Sequence, residues 1–324
     1  MILRPRRNRA SAGMRSLVRE TTLRPSHLVL PLFVQAGSED QPIASMPGCA
    51  RLGLNRLVEV AAEAYALGIP AVALFPVIDE AGKDRLASAS LDPEGLLQRT
   101  VRALKAALPG LLVITDVAMD PYSSDGHDGL VRDGRIVNDD TLPILAAMAV
   151  VQARSGADVV APSDMMDGRV AAIRSALDAA GFTEVAICSY CVKYASAFYG
   201  PFRDALTSTP RAGDKKTYQM DPGNLREALR EVASDEAEGA DWLMVKPGLP
   251  YLDVIARVRA ATALPVAAYH VSGEYAMLKA ASANGWLDYA SCLLESLLCL
   301  RRAGADIIFT YGAIDAARLL TTGK

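Results

Sequence analysis

DWLMVKP, residues 241–247, is a short apolar run that ends in a lysine and shows no polar alternation. A strand buried on both faces reads this way. Seven further runs share the pattern: LVLPLFV (28–34), PAVALFPV (70–77), LLVITDVA (111–118), ADVVAPS (157–163), EVAICSY (184–190), LPVAAYHV (264–271) and ADIIFTYG (305–312). Stretches of helical period lie between them. In the first, Leu54, Leu57, Val58, Ala61, Ala62 and Tyr65 recur at i, i+3 and i+4 until Gly68 ends the helix. Similar patterns occupy 94–107, 141–155, 169–180, 222–238, 251–260, 287–303 and 313–320. Alternating strands and helices imply right-handed crossovers and a parallel sheet. Eight units favour a closed (β/α)8 TIM barrel over a doubly wound sheet, and no GxGxxG fingerprint follows any strand. The expected fold class is therefore α/β, one barrel over 25–324 preceded by an N-terminal arm over 1–24.

The 324 residues are 51% hydrophobic and 22% charged, which is soluble-enzyme composition. No apolar run approaches the ~20 residues needed to span a bilayer, and the N-terminus lacks a signal-peptide core. Five cysteines, an odd number, argue against a disulfide framework and for a reducing cytoplasm. The net charge of −3 conceals an asymmetry: residues 1–24 hold seven arginines against Glu20, or +6, so the rest carries −9. An arm without aromatics on an acidic body suits a neighbouring subunit better than nucleic acid or a membrane surface. The protein is expected to be a homo-oligomer.

Barrel chemistry sits at the C-terminal strand ends. There the fifth run leads out through Cys191-Val192-Lys193, the sixth ends at Lys246, the seventh reaches His270-Val271-Ser272 and the eighth Thr310-Tyr311. Burial and a second nearby ammonium both lower a lysine pKa, and a neutral amine attacks ketones to form an imine. Lys246 is thus a candidate imine former, with Lys193 its pKa-lowering neighbour or a second imine former. After Lys193 comes a segment of about 25 residues rich in Gly, Pro and Tyr, long for an unstructured loop. Its Arg203, Arg211, Lys215 and Lys216 suit a lid that brings cations over an anionic substrate. Ser272 and Tyr311 offer hydroxyl donors for a second carboxylate.

The segments SYCVKYASAFYGPFRDA (189–205), LMVKPG (243–248), APSDMMDGR (161–169), AAYHVSGEYAM (267–277) and DVAMDPYSSDGHDG (116–129) resemble the signatures of the porphobilinogen synthase (5-aminolaevulinate dehydratase) family. The resemblance runs from the arm to FTYGA. It implies condensation of two 5-aminolaevulinate molecules to porphobilinogen, in tetrapyrrole synthesis, without an organic cofactor. It also implies imines on Lys246 and Lys193, one carboxylate on Arg203 and Lys215, and the other on Ser272 and Tyr311. Asp116 and Ser163 match positions near a substrate amine, and the family assembles as an octamer through its arms. A class I aldolase-like lyase is the alternative reading; it needs one lysine and leaves the second, and both carboxylate clusters, without a role.

One departure concerns metal. Zinc-dependent members carry three cysteines after the third strand, where this sequence has Ala118, Asp120 and Asp128, so no zinc thiolate site is expected. Oxygen ligands there would suit Mg²⁺ or a monovalent ion. The resemblance further implies an allosteric Mg²⁺ on Glu231, with Asp235 one turn along as a second position. His127 reads as a local hydrogen-bonding residue. Cys188 and Cys191, three apart in a strand, face opposite ways and read as packing residues.

Overall fold

The computed structural model describes residues 2–206, 208 and 210–322. Eight parallel strands form the barrel: β1 (Leu28–Gln35), β2 (Ala71–Val77), β3 (Leu112–Val117), β4 (Val159–Pro162), β5 (Ala186–Lys193), β6 (Trp242–Lys246), β7 (Val266–His270) and β8 (Ile307–Thr310). Each pairs with the next, and β8 pairs back onto β1, which closes the ring. The alternation of side chains explains why the runs lack polar positions. Val29, Phe33, Phe75, Ile114, Tyr190, Met244, Tyr269 and Phe309 fill the barrel interior. Their neighbours Leu30, Leu32, Val72, Val113, Val160, Leu243 and Ile308 face outward beneath the helices. Both sets leave water, so both must be apolar.

All eight predicted helices are present within a few residues of expectation, among them Leu54–Ala66, Asn138–Arg154, Arg226–Ala237 and Tyr289–Ala303. Within the barrel, two more were not anticipated. Gly200–Leu206 lies inside the expected lid loop, and Ser272–Ala283 follows β7 directly. The latter has weak amphipathicity because its first turn is buried at the barrel mouth and its remainder is half-exposed.

The lower face of the barrel repeats one device three times. Gly156-Ala-Asp158, Gly239-Ala-Asp241 and Gly304-Ala-Asp306 introduce β4, β6 and β8, each glycine at positive φ. Each aspartate accepts an N–H at the start of the preceding odd strand, from Val113 (2.8 Å), Ile187 (2.7 Å) and Val266 (3.0 Å). The stems of Lys105, Arg174 and Arg259 pack beside those glycines, and a Cβ on Gly304 would fall 2.6 Å from Arg259. A side chain at any of the three would be strained by the backbone, and at Gly304 by contact as well. This end carries stability, leaving the opposite mouth free for chemistry.

Residues 2–20 are exposed throughout, including a short helix Ala12–Leu17 capped by Ser11, and present Ile2, Leu3 and Leu17 to solvent. Among the described residues no helix is long and apolar enough to cross a membrane.

Candidate active site

Strand parity alone would not bring the two lysines together. Along β5, Cys188 and Tyr190 point inward while Cys191 and Val192 both belong to the outer layer. The register against β6 slips by one residue between Leu243–Ser189 and Val245–Val192, a β-bulge. That extra residue restores the inward direction at Lys193 and sets it opposite Lys246. The two cysteines accordingly lie in different layers, as their spacing in a strand predicts.

Lys246 is 6% exposed, and its ammonium nitrogen lies 4.9–5.2 Å from the ring centres of Tyr269, Phe202, Tyr190 and Tyr199. Burial, reinforced by the charge of Lys193, brings its pKa down to about 7. The aromatic faces favour a cation, but they do not replace the lost water. The Lys246 carbonyl accepts from Tyr194 N (3.0 Å) and Tyr199 Oη (3.2 Å), which fixes the backbone beneath the amine. Lys193 is 5% exposed and donates to the Ser163 carbonyl, with Asp128 at 3.9 Å.

Asp116 and Ser163 sit on the same floor, at the inward ends of β3 and β4. Burial, followed by the neighbouring Asp120 carboxylate, pushes Asp116 up to about 7. Its Oδ1 has no hydrogen-bond partner, and it stands beside two lysines whose charges act on it. Gln152 holds its backbone, donating to the Asp116 carbonyl at 2.8 Å while accepting from Thr115 Oγ1 at 2.7 Å. Burial thus brings both Asp116 and Lys246 to about 7.

Lys215 does not stand at the rim as a free lid cation. Its ammonium is buried and 3.0 Å from both Asp120 Oδ2 and Asp128 Oδ2. Burial works to raise the Asp128 carboxyl, but Lys193 and Lys215 outweigh it and hold it well below the usual range. Asp120 remains raised, because burial and Asp128 oppose Lys215. Arg203, half-exposed on the helix Gly200–Leu206, has no ion-pair partner among the described residues. Arg211 pairs with Glu80, and residues 207 and 209 of this segment lie outside the described residues. His127 pins the lid locally. Its Nε2 must donate to the Ala212 carbonyl (2.9 Å), leaving Nδ1 to accept from Tyr218 Oη (3.2 Å).

Ser272 and Tyr311 both reach the aromatic chamber. Ser272 Oγ accepts from Phe202 N at 3.0 Å, and Tyr311 Oη meets Tyr269 Oη at 3.1 Å. Four of the residues around Lys246, namely Tyr190, Tyr199, Phe202 and Tyr269, were not singled out from sequence. The inward parity of Tyr190 and Tyr269 was the available signal.

The predicted second metal position, Asp235, is turned inward. Both of its oxygens face Arg169, at 3.1 and 2.9 Å, and one also takes the Ser189 hydroxyl. This pair is fully buried under β5, so both Asp235 oxygens are committed to Arg169 rather than turned to Glu231. Glu231 itself lines a cavity of about 960 Å³ next to the lysine chamber, with His127, Met165, Arg211, Tyr218 and Glu227. Burial and the neighbouring acids Asp235, Asp167 and Glu227 raise its carboxyl. Among the described residues no cluster of three His, Cys, Asp or Glu suits a metal.

The family profile for delta-aminolevulinic acid dehydratase matches residues 2–319. The chain belongs to that family. It is 59% identical to the chloroplastic dehydratase of Glycine max across 99% of this chain and 78% of that protein. With dehydratase 1 of Arabidopsis thaliana, also chloroplastic, the identity is 59% over 99% of this chain and 75% of that protein. A crystal structure of delta-aminolevulinic acid dehydratase (porphobilinogen synthase) from Toxoplasma gondii ME49, in complex with the product porphobilinogen, superposes with a TM-score of 0.99. It is 53% identical and covers 100% of this chain and 93% of that one. An aldolase, QR15, at 12% identity and a TM-score of 0.50, shares the fold alone. Dehydratases of this family need no organic cofactor. The names of the relatives overturn the expected cytoplasmic location, since those proteins are chloroplastic and point to a plastid. That expectation rested on reduced cysteines and the lack of a signal-peptide core, and neither separates one reducing compartment from another.

Proposed function

We infer that the chain condenses two molecules of 5-aminolaevulinate into porphobilinogen with loss of two waters. The observation that carries this reading is the pair of buried lysines on adjacent strand ends, held in register by the β5 bulge. Lys246, about half neutral at pH 7, attacks the ketone of one substrate inside the aromatic chamber. Asp116 supplies the proton that expels water from the adduct. Ser272 and Tyr311 take that substrate's carboxylate, since both open onto the same chamber. Lys193 forms the second imine, and Arg203 takes the second carboxylate. Lys215 serves as the buried counterion of Asp120 and, with Lys193, of Asp128. Carbon–carbon bond formation followed by amine attack closes the pyrrole, and holding both substrates removes the entropy of their encounter.

The acidic loop supplies no thiolate, because Ala118, Asp120 and Asp128 occupy it and no cysteine lies between residues 50 and 187. Zinc is therefore not part of this reading. Glu231 fits Mg²⁺ bound mostly through water, the mode this ion prefers. The concentration of acids that raises its carboxyl is what a cation would relieve. The exposed basic arm, with its uncovered apolar residues, supports a homo-octamer in which each arm docks on another barrel. Borohydride reduction with 5-aminolaevulinate, followed by peptide mass mapping, tests the core of the reading. Adducts on Lys246, and on Lys193 at saturating substrate, are expected. No adduct on either lysine would overturn it.

A further inference from the structure

Glu274 is fully buried, third in the helix Ser272–Ala283, and no Lys or Arg pairs with it among the described residues. A glutamate at this position usually reaches back only to its own helix start and stays in water. This one does more. Its carboxylate accepts from Val271 N (2.6 Å) at the end of β7, and from Leu249 N (2.6 Å) and Gly248 N (3.5 Å) beyond β6. The turn that follows Lys246-Pro247 is thereby tied to the residue that precedes Ser272. Burial raises the carboxyl to about 7, a penalty that a neutral side chain here would avoid.

The corner has no slack. A Cβ on Gly248 would fall 3.0 Å from the Tyr269 carbonyl and 2.9 Å from Leu300. One on Gly273 would fall 2.5 Å from the Phe198 carbonyl, the same oxygen that faces Ser272 Oγ at 3.5 Å. Three strand-end segments thus meet backbone to backbone, with the Glu274 carboxylate as the bridge between two of them.

We infer that Glu274 is a positioning residue that sets the span from the Lys246 amine to the Ser272 hydroxyl. It thereby sets the length of keto acid that the chamber accepts. The inference rests on Lys246 as imine former and Ser272 as carboxylate donor. A substrate fixed at its ketone and at its carboxylate has only its intervening methylenes to adjust, so a fixed span selects their number.

The test compares 4-oxopentanoate with 5-oxohexanoate, one methylene longer, by borohydride trapping at Lys246 at graded concentrations. The variants are Glu274→Gln, which sets an NH₂ against an N–H donor, and Glu274→Asp, which retracts the carboxylate. Asp306→Asn on the lower face, which loses the Val266 N–H acceptor away from the mouth, serves as a control for general destabilisation. The wild type should favour the shorter acid, and the Gln variant should narrow that preference at least ~10-fold, since small misplacements cost up to about 100-fold. The control should keep the wild-type ratio. If Gln fails to fold, the Asp variant carries the same readout. An unchanged ratio in the Glu274 variants, with only a lower melting temperature, would overturn the inference. A wild type without any Lys246 adduct would instead remove the reading on which it rests.

Discussion

Replacing Lys193 with Met separates its two assigned roles, because the remaining lysine reports on the charge that has been removed. Lys246 titrates near 7 through burial and the adjacent ammonium of Lys193. The two residues are register partners on neighbouring strands. At about 5 Å and an effective dielectric constant near 20, two unit charges repel by about 3 kcal/mol, or roughly two pKa units. Loss of that repulsion should return Lys246 to about 9, and Asp116, Asp128 and Asp120 all push the same way. At pH 7 its neutral fraction would drop from about half to ~1%. Turnover is lost in this variant, so the assay must address Lys246 alone: the initial rate of borohydride-trapped adduct with 4-oxopentanoate, read by peptide mass from pH 5.5 to 10. The wild type should reach half its limiting rate near pH 7, and Lys193→Met about two units higher. A midpoint that stays within half a unit of wild type would refute the electrostatic argument and leave burial as the sole cause.

Asp116→Asn should abolish turnover and yet raise the melting temperature relative to wild type as pH increases. The folded carboxyl titrates near 7, above its ordinary 3.8, so its contribution is favourable below about pH 4 and is lost as pH rises through 7. A melting-temperature difference that is flat from pH 5 to pH 8 would contradict this. Arg169→Met should destabilise by about 3–5 kcal/mol in urea, because it strands Asp235 and Asp164 as buried carboxylates without their cation; a loss below 1 kcal/mol would show that water reaches them. Deletion of residues 1–24 should yield a smaller particle of lower activity, and an unchanged mass by light scattering would refute the arm's role in assembly.

The barrel was legible because its signal is local. Eight apolar runs and the helical periods between them are set by which faces lose water, and that is written in the order of residues. The two lysines were equally visible as strand-end charges. The helix Ser272–Ala283 was missed because its first turn is buried for a reason outside itself, the packing of Gly273 on Phe198. The Gly-Ala-Asp triplets at 156, 239 and 304 were present in the sequence, but their shared task depends on hydrogen bonds to strands about 40 to 55 residues earlier.

Composition and pattern alone determined the fold class, the mouth at which chemistry occurs and the two lysines at its strand ends. Hydrophobic periodicity and strand order suffice for that, since they are nearest-neighbour properties of the chain. Only the tertiary structure decided the partners. It turned Lys193 inward through a one-residue bulge and committed Lys215 to Asp120 and Asp128. It also closed Asp235 onto Arg169, and it made Glu274 the bridge between two strand ends. Each of these depends on which buried charge meets which counterion or N–H group. That choice follows from distances across the closed barrel, and no spacing along the sequence encodes it.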